Sequence, residues 1–356
     1  MFKNYNYNPS CPTNRYSFDI YDIDLSIVNA IRRIILSDIE IPGVIGEIEP
    51  TVEIINSNGP LHNEILIHRI GLIPICLKEG EIDNYEDNTI TLELNVNNEA
   101  NNILNVTTEN IIVKRNDIEL NKKELREIFY PHIISNNYIL ITRLREGEYL
   151  HFKANVVKKN GKYNASFNPV SLANFSYIID KSKVTKEMNI LDKERSYYVN
   201  EYGDPNAFNF EIEPINKYLT AKYLVNKSLE ILIEKLNKLI INLKTNEAIK
   251  IEKDTNCENT YDYSIDDEND TLGNVIQSFI YEKFVRKEEK LLNNISCLYC
   301  GYICPHPLKS LLKIKLTLKE QTSADVFRDF LTNSCLLIID NLQTIKNDWN
   351  IFMEKN

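Results

Sequence analysis

The sequence predicts an α+β fold: two strand-then-helix modules packed on each other as an intramolecular pseudo-dimer, with a mainly β stretch between them. Three observations predict it. Residues 16–36 read as a strand feeding an amphipathic helix, and residues 261–280 repeat that plan with unrelated residues. Val225, Leu229, Leu232, Leu236, Leu239 and Leu243 alternate spacings of four and three, a heptad seam that needs a partner helix. Between these regions the apolar period falls to two, the mark of half-buried strands.

The elements follow in order. Residues 1–12, rich in Asn with Pro9 and Pro12, read as a tail that orders only on a partner. Tyr16, Phe18 and Ile20 alternate with polar neighbours as a strand, and Asp22 or Asp24 can cap the helix that follows. Ile27, Ile31, Ile34 and Ile35 line one face of that helix, Arg32 and Arg33 project elsewhere, and Pro42 lies beyond its end. Thr51 to Ile55 alternates as a strand; Leu61, Ile65 and His68 mark a short helix ended by Gly71, with Pro74 beyond. From about 81 to 193 strands dominate. Ile90, Leu92, Leu94 and Val96 form one; Leu150, Phe152, Ala154 and Val156 form another that runs into Asn160–Gly161, a hairpin signal, with Tyr163, Ala165 and Phe167 as the return strand.

Residues 207–214 alternate as a strand before the heptad helix. Residues 245–259 carry mixed charges without a period and read as a linker. After the second strand, Leu272, Val275, Ile276, Phe279 and Ile280 line one helix face, and Leu312, Ile314, Leu316 and Leu318 alternate with lysines. Phe327, Leu331, Ile338, Leu342, Ile345 and Trp349 give the C-terminal helix a stripe to meet the seam, with Thr322 and Asp325 as a capping box. The intramolecular interface is thus expected to include Ile27, Ile31, Ile35, Val225, Leu229, Leu232, Leu236, Leu239, Leu272, Ile276, Phe279, Phe327, Leu331 and Ile338.

Composition narrows the function classes. With 43% hydrophobic and 26% charged residues the chain has enough apolar content for a core, and no run reaches the roughly 20 apolar residues of a membrane helix. A net charge of −10 lacks the basic footprint by which a protein holds nucleic acid unaided, so protein is the expected partner. Seven cysteines without a secretory signal point to free thiols in a reducing compartment.

DLSIVNAIRRIIL, IGEIEP and HNEILIHRIGLIPI, between residues 24 and 75, resemble the opening of the third-largest subunit of eukaryotic RNA polymerase II, the archaeal D subunit and, more distantly, bacterial alpha. ENDTLGNVI with GYICPHPL, from residue 268 to 308, resembles the eleventh subunit, archaeal L. Both on one polypeptide resemble the fused subunit of polymerases from large DNA viruses. The resemblance implies two alpha-like dimerisation modules, 1–50 with 196–244 and 260–356, an inserted domain at 51–195 and a linker at 245–259. It also implies a non-catalytic assembly platform for the second-largest and largest subunits, with small zinc-binding subunits docking nearby. Magnesium would sit in the largest subunits and zinc in other subunits, with no cofactor on this chain. Arg32, Arg33, Glu64, His68 and Arg69 would contact partners, Glu64 also pairing with His68 or Arg69. Location would be intracellular: viral factory, host cytoplasm and virion for a viral source, the nucleus otherwise. Two positions depart from the family pattern: residues 164–167 replace an HAKW-like tetrapeptide, and Asp270 stands where histidine is common.

A second reading rests on Cys297, Cys300, Cys304 and His306, whose residue types suit zinc and would make a zinc- or redox-regulated binding module. Against it, residues 295–302 read as a strand, which would send Cys297 and Cys300 to opposite faces, and no helix starts there to activate a thiolate. His68 has no accompanying nucleophile, phosphate loop or metal motif, and no catalytic constellation appears elsewhere.

Overall fold

Alternation near the start of the chain becomes strand pairing. In the computed structural model, which describes residues 1–8, 14–132, 134–245, 249–255, 257–291, 295–306 and 308–355, β1 (Phe2–Asn8) lies antiparallel to β2 (Arg15–Tyr21). Tyr16, Phe18 and Ile20 are buried, as their spacing requires. The first eight residues are therefore not the expected tail. Phe2 is buried, its ring 6.2 Å from that of Phe18 and 5.0 Å from that of Trp349, and this aromatic anchor holds an otherwise polar edge strand. Pro9 and Pro12 lie outside the described residues.

Asp22 turns the chain in a left-handed conformation, φ 56°, and Asp24 caps α1 (Leu25–Ser37) by accepting from the Ser26 N–H at 2.7 Å. The chain then runs through β3 (Glu40–Gly43), β4 (Val52–Ser57), α2 (Asn63–Gly71) and α3 (Glu79–Asp83). Next come β5 (Ile90–Asn97), β6 (Leu104–Thr107), β7 (Ile112–Arg115), β8 (Ile118–Glu119), α4 (Lys122–Ile128) and β9 (Leu140–Leu144). β10 (Tyr149–Asn155), β11 (Val157–Asn160), β12 (Val170–Tyr177), α5 (Ile190–Glu194) and β13 (Ala207–Pro214) complete this half. A five-stranded antiparallel sheet, β4-β10-β5-β7-β8, makes the segment mainly β, as its period-two runs predict.

Two expectations here need correction. The Asn160–Gly161 signal does not produce a hairpin: β11 pairs with β3, and residues Ala165–Phe167 form a 3₁₀ turn instead of a return strand. Tertiary contact overrides the local signal. A side chain at Gly161 would meet Asn168 and stand 2.5 Å from the Leu36 carbonyl, and Lys162 N–H donates to the Ser37 carbonyl at 3.0 Å, so the turn is pressed onto the end of α1. Phe167 is thereby buried against Ile45 and Val157. In addition, β12 lies within 51–195 yet pairs with β13, so the sheet formed by the flanking segments reclaims the chain before residue 196.

The second half contains α6 (Ala221–Thr245), β14 (Ile249–Lys253), β15 (Thr260–Asp266) and α7 (Asp270–Ile280), which continues into a π-helical turn (Tyr281–Arg286). β16 (Cys297–Ile303), β17 (Leu311–Leu318) and α8 (Ala324–Met353) follow. The expected linker thus contains a strand: β14 pairs with β15, its Ile249 and Ile251 turned to the core while Lys250 and Glu252 stay exposed or partly so. The capping box at the start of α8 does not form either. Ser323 occupies the N-cap position without a side-chain bond, the Thr322 hydroxyl is buried without a partner, and Asp325 pairs with Arg328 at 2.8 Å.

Strand order repeats between the halves. The sheets run β1-β2-β13-β12 and β14-β15-β17-β16. In both, an edge strand precedes the strand that feeds a short helix (α1 or α7), and the last two strands precede a long one (α6 or α8). All six apolar seam residues of α6 are buried, α6 packs against α8, and one continuous apolar cluster extends from Phe2 to Trp349. Leu232→Ala, at a position with no exposure, is expected to lower unfolding free energy by about 3 kcal/mol in urea titrations. Ile241→Ala, on the exposed face of the same helix, should change it by less than about 0.5 kcal/mol.

Candidate assembly interface

Helix contacts join the halves. Asp24, besides capping α1, accepts from the Ser278 hydroxyl of α7 at 3.0 Å, while at the other end of α1 the Arg33 Nε donates to Thr271 Oγ1 at 2.7 Å. The two helices are therefore antiparallel. The long pair is antiparallel too: Asn226 meets Asn350 and Lys346 meets Glu230, each at 2.8 Å, and Trp349 Nε1 donates to the Lys222 carbonyl at 3.4 Å. Of the fourteen expected interface residues, Phe279 alone is only partly buried, at the rim of a cavity of about 430 Å³ shared with Ile27, Val275, Leu337 and Ile338.

A charged cluster crosses the same seam. Lys235 of α6 reaches both Glu268 carboxylate oxygens, at 3.2 and 3.1 Å, and Asp38 at 3.6 Å, while Lys162 reaches Asp38 at 2.7 Å. Lys235, Asp38 and Glu268 are 16%, 10% and 10% exposed. At that depth an unpaired charge is costly, so alternation of cations and carboxylates fixes one arrangement of α1, α6 and the turn before α7.

The five expected partner-binding residues separate into two groups. Arg33 is engaged inside the chain by Thr271. Among the described residues Arg32 hydrogen-bonds only to Asn29 of its own helix, at 2.9 and 3.0 Å, and burial, followed by the charge of Arg33, pulls its guanidinium below the usual range. An incoming carboxylate would relieve that unfavourable setting. His68, Arg69 and Glu64 lie on α2, but Glu64 does not pair with either neighbour. His68 Nε2 instead lies 3.3 Å from Glu47, which also accepts from Asn164 at 2.9 Å. Arg69 donates to the carbonyls of Leu140 and Ile141 at 2.8 and 3.0 Å. Both side chains point across α2 to other segments, whereas Glu64 stays exposed in its first turn, where the helix dipole favours a carboxylate.

Sequence reasoning missed the reason for this convergence. Gly71 ends α2 without a left-handed cap; a side chain on it would lie 2.7 Å from the Gly46 Cα, and one on Gly46 would lie 2.9 Å from the Ile67 carbonyl. The IGEIEP and HRIG segments meet backbone to backbone, and glycine permits it. Around them Ile48, Ile65, Leu72 and Tyr163 are exposed, Ile48 by 85%. The two glycines, read as a pair, were the available signal.

The strand argument against a cysteine site also needs correction. Cys297 and Cys300 are both buried, because a register irregularity between Cys297 and Tyr299 returns them to one face. Burial pushes the Cys297 thiol up to about 12 and raises that of Cys300 further. Cys304 is partly buried, and exposed His306 accepts from the Leu308 N–H at 3.1 Å. Among the described residues no three His, Cys, Asp or Glu side chains converge as a metal ion would require.

Comparison with known proteins decides the family. The RNA polymerase Rpb3/Rpb11 dimerisation domain matches residues 17–236, from β2 to Leu236 within the heptad seam. The chain belongs to this family. A conjugation stage-specific protein of Tetrahymena thermophila is 28% identical over 179 residues, 45% of this chain and 54% of its own. DNA-directed RNA polymerases I and III subunit RPAC1 of Saccharomyces cerevisiae is 30% identical over 180 residues, 45% of this chain and 52% of its own. DNA-directed RNA polymerase subunit Rpo3 of Pyrococcus furiosus is 25% identical over 265 residues, 64% of this chain and 92% of its own. The chain spans about half the length of the first two relatives.

Raised thiol pKa values leave little reactive thiolate near neutral pH. At about pH 8, a thiol reagent is expected to label exposed Cys257 readily and Cys76, Cys300 and Cys335 only on unfolding, as mapped by mass spectrometry. Rapid native labelling of Cys300 would contradict this.

Proposed function

We propose that the chain is a non-catalytic assembly subunit of a DNA-directed RNA polymerase, a fused third/eleventh-type subunit whose two modules form the pseudo-dimer within one polypeptide. The repeated strand order with antiparallel α1–α7 and α6–α8 pairs carries this reading. The family match runs from β2 through most of α6, and the second four-stranded sheet has the same strand order as the first. Fusion holds the modules at an effective concentration on the order of millimolar, so pairing does not depend on matched expression of two chains. The domain plan is 1–50 with 196–244, an insertion at 51–195, a junction at 245–259 and a second module at 260–356, amended by assigning β12 to the first module's sheet and β14 to the second's.

The partners are the second-largest and largest polymerase subunits, with small zinc-binding subunits beside them. Arg32 and the surface around α2 would contact them, and the net charge of −10 favours protein over direct DNA binding. Catalytic magnesium belongs to the large chains and zinc to other subunits; buried, protonated thiols at Cys297 and Cys300 suit packing better than ligation. Among the described residues no helix is long and apolar enough to cross a membrane. The fusion fits a large DNA virus, with work in the viral factory or host cytoplasm and carriage in the virion; a cellular source would place it in the nucleus.

Affinity purification of the tagged chain from its source tests the reading. Two very large chains and nucleotide-incorporating activity are expected in the eluate, and recovery of a partner-free monomer would overturn it. Arg32→Glu should cut recovery of the large chains by at least about tenfold with little change in thermal unfolding, because among the described residues its side chain bonds only within its own helix. The double change with Arg33→Glu should remove recovery altogether, and it should also weaken the module seam through loss of the Thr271 contact.

A further inference from the structure

The second module's sheet ends in an exposed strand. β16 pairs only with β17, so its N–H and C=O groups that point away from β17 meet no strand among the described residues. Proteins usually blunt such edges with charge, as β14 does at the opposite edge with Lys250, Glu252 and Lys253. β16 does the reverse: Leu298, Tyr299 and Ile303 are 54%, 52% and 60% exposed. Tyr299 lies over Gly301, which could not carry a side chain beneath that ring, leaving a smooth apolar rim. Lys313 is in register with Ile303, and neither it nor Lys319 forms an ion pair among the described residues, whereas Lys315 is held by Asp254 and Asp262.

We infer that β16 is a docking edge for an extended segment of another polymerase chain that carries apolar residues, flanked by acidic ones, on a single face. The added strand would hydrogen-bond to the free edge, set those apolar side chains beside Tyr299 and Ile303, and bring carboxylates at the ends of the same face to Lys313 and Lys319. A second copy of this chain is a poorer occupant, because edge-to-edge pairing brings the same lysines to the junction from both sides. This inference rests on the polymerase reading.

Amide exchange of the full chain, alone and in the purified polymerase, tests it. Residues 297–303 should exchange at least about tenfold more slowly in the complex. Carbodiimide should link Lys313 to a carboxylate of another subunit, and Lys313→Gln should remove that link while the protection remains. Tyr299→Asp with Ile303→Asp, both on the outer face, should abolish the protection while leaving the free chain's thermal unfolding unchanged. A recovered polymerase in which β16 exchanges as in the free chain, or a link to a second copy, overturns the docking edge and leaves the polymerase reading intact. Failure of the wild-type chain to co-purify with the large polymerase chains overturns both.

Discussion

Burial of the α6 seam against α8 is the contact on which the rest of the molecule depends. Each four-stranded sheet has helices for only one face, and each long helix carries an apolar stripe that its own sheet cannot cover completely. Antiparallel packing of the long helices removes both stripes from water at once. It also brings α1 beside α7, so the polar contacts of Asp24, Arg33 and Lys235 follow from a geometry that apolar burial has already set. Those polar groups contribute selectivity more than energy: at partial burial, a misaligned helix would leave Asp38 or Glu268 without its cation.

Much of this was legible in the sequence because the strongest periods belong to the most buried elements. The seam from Val225 to Leu243, the isoleucine face of α1 and the alternation of β2, β13 and β17 each state both an element and its buried side. Edge strands were less legible. β1 and β14 place few side chains in the core and fill the remaining positions with Asn, Tyr, Lys and Glu, a composition equally suited to a solvated segment. The Asn160–Gly161 turn misled because the preference of two residues was outweighed by the end of α1 pressing against them. At Cys297 a single irregular residue reversed the face that simple alternation assigns.

Around α2 the helix was legible but the pairings of its side chains were not. HRIGLIP marks α2 correctly, yet His68 turns to Glu47 and Arg69 to the carbonyls of β9, because two glycines let distant backbones touch. Helical spacing names neighbours within a helix; it contains no information about a loop that arrives from elsewhere. Arg32 differs in that its setting is unfavourable within the chain itself, close to Arg33 and, among the described residues, bonded only to the neutral acceptor Asn29.

Among the described residues a five-stranded sheet is threaded between β2 and β13 of the first four-stranded sheet, and no such sheet interrupts the second. A platform built from identical halves offers an asymmetric partner two equivalent ways to sit, and half of the encounters begin facing the wrong way. Ornamenting one half and leaving the other bare removes that degeneracy. The polypeptide thereby carries a sense of direction, and on the proposed polymerase reading large chains assembling on it would inherit a single polarity from the first contact.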